Sequence, residues 1–229
     1  MRAHSTGVFV AVRTIQGGFF ITFEGPEGAG KSTQIGLLEE VLRGRGFAVK
    51  VTREPGGTLL GERLRELIKH FDGPEGVTPE AELLMFGASR AQHMRLVILP
   101  HLAAGGIVLC DRFADSTTVY QGFARRISLE FIDAMHRLTV GDRWPDLTLV
   151  LDLDPAAGLA RGRLRSPQAA ATDRFETESI EFHRRVREGF RRLIAAHPER
   201  MVAIDAQPSP ESVHLRILEA TARVLARVQ

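Results

Sequence analysis

Apolar residues gather along the chain in short runs: Phe19 to Glu24, Phe47 to Thr52, Ile107 to Asp111, Leu147 to Asp152 and Val202 to Asp205. Runs of this length predict strands buried on both faces, as in a parallel sheet covered by helices. The amphipathic stretches between them, Gln34 to Arg43, Ala81 to His101 and Phe175 to Ala196, predict those helices. A last stretch after Pro210 repeats apolar residues at Val213, Ile217, Ala220 and Val224, the spacing of a packing helix. Strands alternating with helices, with no internal repeat and no heptad run, predict an α/β fold. The stretch RGRLRSPQAAATDR, residues 161 to 174, breaks the regularity. Rich in arginine and alanine with little apolar anchoring, it predicts a loop or lid, or else a surface insertion.

Composition narrows the class. At 229 residues, 44% apolar and 25% charged, the chain can bury a full core as one soluble domain. No apolar run approaches the roughly eighteen residues of a membrane helix, so no membrane association is expected. The apolar patch Val8 to Val12 is too short for a signal sequence, so residues 1–18 read as a flexible extension ahead of a domain over 19–229. The single cysteine, Cys110, cannot form an internal disulfide, which points to a reducing cytoplasm. Of 30 basic residues only Lys31, Lys50 and Lys69 are lysines. A compositional bias explains most of that, although some of the arginines can grip phosphate bidentately. A net charge of +2 gives no reason to expect nucleic acid as a partner.

The chemistry begins at GPEGAGKST, residues 25 to 33. Gly25, Gly30, Lys31 and Ser32 fit the G-x-x-x-x-G-K-[ST] pattern, set between a strand and a helix as its mechanism requires. The backbone N–H groups of Gly25, Pro26, Glu27, Gly28, Ala29, Gly30, Lys31, Ser32 and Thr33, proline excepted, can cradle phosphate oxygens at a helix N-terminus. Lys31 then reaches the β and γ phosphates, and Ser32 offers a hydroxyl to Mg²⁺. A nucleoside triphosphate is the expected ligand of this loop, which alone does not separate an ATPase, a GTPase and a small-molecule kinase.

Three later segments bear on what the phosphate loop serves. TREPGGT, 52 to 58, places Arg53 at the carboxyl edge of the sheet, facing a substrate anion or merely solvated beside a turn. In FGASRAQH, 86 to 93, Phe86 and Arg90 are four apart on one helix face. They could stack on a base and hydrogen-bond its carbonyls, or be a core phenylalanine beside a surface arginine. In CDRFADSTTVYQG, 110 to 122, Asp111 ends a strand where a carboxylate organises Mg²⁺ in phosphate-loop enzymes, and Arg112 is placed to hold a phosphate.

Together these segments resemble the thymidylate kinase family over nearly the whole chain from Phe19 on. The carriers are TREPGGT and the run DR-x-x-x-S-T-x-x-Y-Q-G. The resemblance implies a five-stranded parallel sheet of the phosphate-loop nucleoside monophosphate kinase type, usually as a homodimer. It implies phosphoryl transfer from ATP to dTMP with Mg²⁺, giving dTDP and ADP and supplying dTTP for DNA synthesis. It also implies that Glu27 lies near the dTMP sugar and phosphate, Arg53 and Arg112 on the phosphate, and Phe86 on thymine. Arg90 and Thr117 are then expected at the base edge with Gln121 nearby, and Tyr120 against the sugar.

The family divides by the place of its catalytic arginine. The eukaryotic type carries one inside the phosphate loop, where this chain has Gly28. RGRLR followed by DRFE is similar to the basic lid of the bacterial type, with Arg161, Arg163, Arg165 and Arg174 as candidates. SPQAAAT makes this lid longer than a compact bacterial one. Lys31, Arg112 and one or two lid arginines, Arg163 and Arg165 foremost, are thus expected to stabilise the transition-state charge, while Ser32 and Asp111 organise Mg²⁺. Two alternatives stay open: a kinase for another monophosphate or a deoxynucleoside on the same scaffold, and a binding-only nucleotide switch.

Overall fold

In a computed structural model, residues 13–165 and 173–226 are described. Residues 1–12 of the expected extension and 166–172 of the expected lid lie outside the described residues. The sheet comprises β1 (Phe19–Glu24), β2 (Val49–Arg53), β3 (Ile107–Asp111), β4 (Leu147–Asp152) and β5 (Met201–Asp205). All pairs are parallel, in the order β2-β3-β1-β4-β5. The five apolar runs thus become five strands, the second beginning two residues later than expected. Phe19, Ile21 and Phe23 face one layer while Phe20 faces the other, all fully buried. Each such side chain contributes about 1.5–3 kcal/mol of burial.

One layer is α1 (Lys31–Gly44) with α9 (Pro210–Leu225), packed on each other over the sheet. On the other, α3 (Pro79–His93) continues through a π-helical turn, Met94–Ile98, into α4 (Leu99–Ala103). The stretch expected as one helix over 81–101 is therefore three segments, with Pro100, which has no N–H to donate, just after the π-helical turn. The remaining helices are α2 (Leu59–His70), α5 (Ala114–Thr117), α6 (Leu129–Thr139), α7 (Pro155–Arg165) and α8 (Ile180–Ala196). α5 runs on through a second π-helical turn, Thr118–Ala124, which packs on α8. Side-chain oxygens of Thr58, Thr78, Ser179 and Ser209 cap α2, α3, α8 and α9.

Two expectations are corrected. Residues 13–18 belong to the fold: Arg13 N–H bonds Gly46 O at 2.9 Å, Ile15 N–H bonds Gly105 O at 2.9 Å, and Ile15 is buried. Arg161 to Arg165 are not loop but the last turns of α7, and the helix expected from Phe175 begins only at Ile180.

Candidate active site

Strand register brings the chemistry to one edge. Arg53 and Phe23 both pair with Asp111, and Asp152 pairs with Asp205, so every strand ends its carboxyl side in or beside charge. The loop from β1 to α1 turns through Gly25, Gly28 and Gly30, all at positive φ. Gly28 has a second constraint: a Cβ there would lie 2.0 Å from Gly158 O in α7, and one on Gly158 would lie 2.4 Å from Glu27 O. Loop and helix therefore touch backbone to backbone. A side chain at position 28, such as the loop arginine of the eukaryotic type, has no room.

Lys31 is buried, its Nζ donating to Pro26 O at 2.9 Å and Gly25 O at 3.2 Å. Burial and then Arg112 depress its pKa. Ser32 Oγ donates to Asp111 Oδ2 at 3.2 Å, so the two expected Mg²⁺ residues are neighbours. Arg112 holds the middle of the site at φ +65°, a left-handed conformation that costs a non-glycine residue about 1–3 kcal/mol. Its guanidinium donates to Glu27 Oε1 at 2.6 Å, Gly25 O at 2.9 Å and Ser116 Oγ at 3.3 Å, and lies 5.1 Å from the Tyr120 ring centroid. Burial alone would raise the Glu27 pKa, but Arg112, Lys31 and Lys69 outweigh it and hold the carboxyl well below the usual range. Glu24 goes the other way: burial, then Asp115, pushes it up to about 7.

A pocket opens between this cluster and α3. Glu27, Lys31, Arg53, Phe86, Arg112, Tyr120 and Gln121 line it, so most expected acceptor-site residues meet there. Tyr120 is buried in an aromatic nest with Phe175 at 5.9 Å and Phe182 at 6.1 Å between ring centroids, and Phe86 reaches Phe175 at 6.1 Å. Arg90 and Thr117 are not on its wall but just behind it. Arg90 Nε donates to Glu54 Oε2 at 2.8 Å and Nη2 to Thr117 Oγ1 at 2.9 Å, while Nη1 is buried with no hydrogen-bond partner. Gln121 Nε2 donates to Glu82 Oε1 at 2.9 Å and leaves its Oε1 equally unpartnered. Arg53 is half-exposed and paired with Glu62 at 2.8 Å.

The lid candidates part company. Arg174 is committed to structure: it donates to Ile68 O at 2.8 Å and Glu82 Oε2 at 3.2 Å. Arg161 donates to Ala206 O at 3.1 Å and Gln207 O at 3.3 Å, beside a hollow bordered by Gly28, Gly30, Thr33 and Pro208. Arg163 is exposed near the end of α7, and the side chain of Arg165 lies outside what is described. Sequence reasoning missed Arg65 and Lys69, one turn apart on α2 and both on the pocket wall, with Lys69 paired to Asp173. Their i, i+4 spacing is the signal that could have found them. It missed too the carboxylates Glu54 and Glu82 that fix Arg90 and Gln121.

The thymidylate kinase family model matches residues 23–217. A thymidylate kinase of Synechococcus sp. (strain JA-3-3Ab) is 52% identical over 210 residues, covering 91% of this chain and 98% of that one. One of Desulforapulum autotrophicum is 46% identical over 90% of this chain and 92% of its own. Among solved structures, the thymidylate kinase of Ehrlichia chaffeensis superposes with a TM-score of 0.71 at 36% identity, covering 88% of this chain and 97% of that one.

Proposed function

The chain belongs to the thymidylate kinase family and phosphorylates dTMP with ATP, and on that premise we propose how its residues divide the reaction. The observation that carries the acceptor assignment is the pair of buried, unpartnered polar atoms, a donor on Arg90 Nη1 and an acceptor on Gln121 Oε1. A buried group left without its hydrogen bond costs about 1–3 kcal/mol, so the pair favours a ligand that completes both. Thymine offers the complement, an acceptor at O4 beside a donor at N3. Cytosine presents the reverse pattern and would leave both groups facing their own kind.

Phe86 covers the base, and Tyr120 packs against the sugar where a 2′-hydroxyl would collide. Arg112 and Arg53 take the dTMP phosphate, with Arg65 and Lys69 adding positive charge on the same wall. The phosphate loop, Gly25 to Thr33, takes the ATP phosphates, and Lys31 turns from its loop carbonyls to the β and γ oxygens. Arg161 borders the adenine side of the loop. Ser32 Oγ and the Asp111 carboxylate, already adjacent, are the hydroxyl and carboxylate donors that suit Mg²⁺, whose other ligands would be phosphate and water oxygens. Held by Ser32 and Asp111, Mg²⁺ would supply positive charge to the transferring phosphoryl. Arg112, Lys31, Arg163 and Arg165 supply the rest, and in-line positioning makes a strong general base unnecessary. The basic end of α7 serves to keep water from the transferring phosphoryl, so ATP is not spent on hydrolysis.

We infer also a homodimer in the cytoplasm. Exposed Leu60 and Leu67 on α2, Leu84 on α3, and Phe131 and Leu138 on α6 lie on three helices packed side by side, which supports an apolar subunit contact. Among the described residues no helix is long and apolar enough to cross a membrane. A coupled ADP-release assay with ATP and a panel of monophosphates tests the acceptor reading. dTMP should lead, dUMP should be the best of the others, and dCMP and the ribose counterpart of dTMP should be poor. A dCMP rate equal to that of dTMP would overturn the base assignment.

A further inference from the structure

One buried carboxylate behind the site has no part in the roles above. Glu24 ends β1 with no exposed surface, on the strand face opposite Phe23. Its Oε1 accepts the backbone N–H of Phe113 at 2.8 Å and that of Ser116 at 3.3 Å. Its Oε2 accepts the Ser116 hydroxyl at 2.5 Å. α5 starts at Ala114, and its own N-cap residue, Phe113, has no side chain able to accept these donors. Glu24 therefore caps the helix from a different element.

This matters because of what precedes the helix. Arg112 sits at positive φ, and its N–H is tied to Phe23 O at 2.9 Å while the next N–H is tied to Glu24. Both flanks of the strained residue are thus anchored to the end of β1. The polarity then runs one way: Ser116 gives its hydrogen to Glu24, which leaves its oxygen lone pairs to accept Arg112 Nη1 at 3.3 Å. A carboxylate, a hydroxyl and a guanidinium form a directed chain that ends on the arginine assigned to the acceptor phosphate. Glu27 holds the other end of the same guanidinium at 2.6 Å, so both of its amino groups are oriented before any substrate arrives.

We propose that Glu24 is a positioning residue for dTMP binding, capping α5 from the end of β1 and, through Ser116, aiming the Arg112 guanidinium at the acceptor phosphate. The proposal rests on the assignment of Arg112 to that phosphate. Lys31, Cys110, Arg112, Asp115, Tyr120 and Arg200 interact electrostatically with Glu24, and all but Arg112 and Arg200 are buried.

Steady-state kinetics at about pH 8, with each substrate varied at saturating partner, test it on Glu24→Gln, Ser116→Ala and their combination. Glutamine keeps an oxygen for the Phe113 N–H but cannot both keep it and accept from Ser116 without turning its amide donor toward a donor. Each single variant should raise KM for dTMP about tenfold or more while KM for ATP stays within about twofold, and the double variant should be no worse than the poorer single one. Equal rises in both KM values, no rise, or additive effects would overturn the proposal. Should Glu24→Gln fail to fold, Ser116→Ala alone decides by the same criterion. Arg112→Lys separates the two levels. If it leaves KM for dTMP unchanged, the phosphate assignment itself fails. If it raises that KM while the other variants do not, only the role of Glu24 fails.

Discussion

Lys31 and Glu24 show how far a single side chain carries the argument. Lys31 is legible from its motif alone, because a phosphate loop requires one lysine at that spacing. The structure adds that its ammonium rests on Pro26 O and Gly25 O. Lys31→Ala should therefore lower kcat by about a hundredfold or more with the fold retained, checked by the coupled assay and circular dichroism. Near-normal turnover would remove it from the donor site. Glu24 was invisible, since a carboxylate at the end of a strand carries no signature until its neighbours are known. Its pKa gives a stability prediction. The unfolded group titrates near 4.5 and the folded one at about 7, so the folded state holds the proton more tightly. Its contribution is fully present below the unfolded value and lost as pH rises through the folded one, on the order of 3 kcal/mol. Glu24→Gln cannot ionise. Denaturation across about pH 4 to 8 should show the stability difference moving toward the variant as pH rises, and parallel profiles would refute the shift.

At the scale of elements, α7 is tied to the phosphate loop. Gly28 and Gly158 meet backbone to backbone, so Gly158→Ala must push the loop or the helix aside. It should cost about 1–3 kcal/mol of stability and lower kcat, and a variant with unchanged melting temperature and rate would show the contact to be compliant. The basic end of α7 bears the second prediction. With no room for an arginine at position 28, neutralising Arg163 and Arg165 together should reduce kcat far more than it raises KM for dTMP. A rise in KM alone would make them binding groups. Sequence patterning read the five strands well because each is a short run with apolar anchors; β1, β3 and β4 are buried on both faces, while the edge strands β2 and β5 are partly exposed. It passed over α2 although Leu60, Leu64, Leu67 and Ile68 recur at helical spacing; in the fold Ile68 and Leu64 join the core while Leu59, Leu60 and Leu67 stay exposed. It also took RGRLR for a loop, because three arginines in five residues give no apolar face although arginine is a good helix former.

For the whole molecule, the exposed leucines of α2, α3 and α6 predict assembly. Light scattering at micromolar concentration should give twice the 25.3 kDa chain mass, and the monomer mass would reject the dimer. The sequence by itself determined the α/β class, the parallel sheet and the phosphate-loop motif, and it singled out residues of which several line one pocket. Those signals are local: a periodicity, or a motif whose residues serve one ligand through one turn of backbone. Tertiary structure alone decided which partners those residues have. Arg90 proved to be held by Glu54, thirty-six positions away, with one amino group left over; Arg174 was drawn off by Glu82; and Arg112 was found bonded to Glu27 and to Ser116, which itself bonds Glu24. A charged side chain in a buried site takes its direction from whichever opposite charge the fold brings within hydrogen-bond reach, and that distance is set by how strands order in the sheet, not by spacing along the chain.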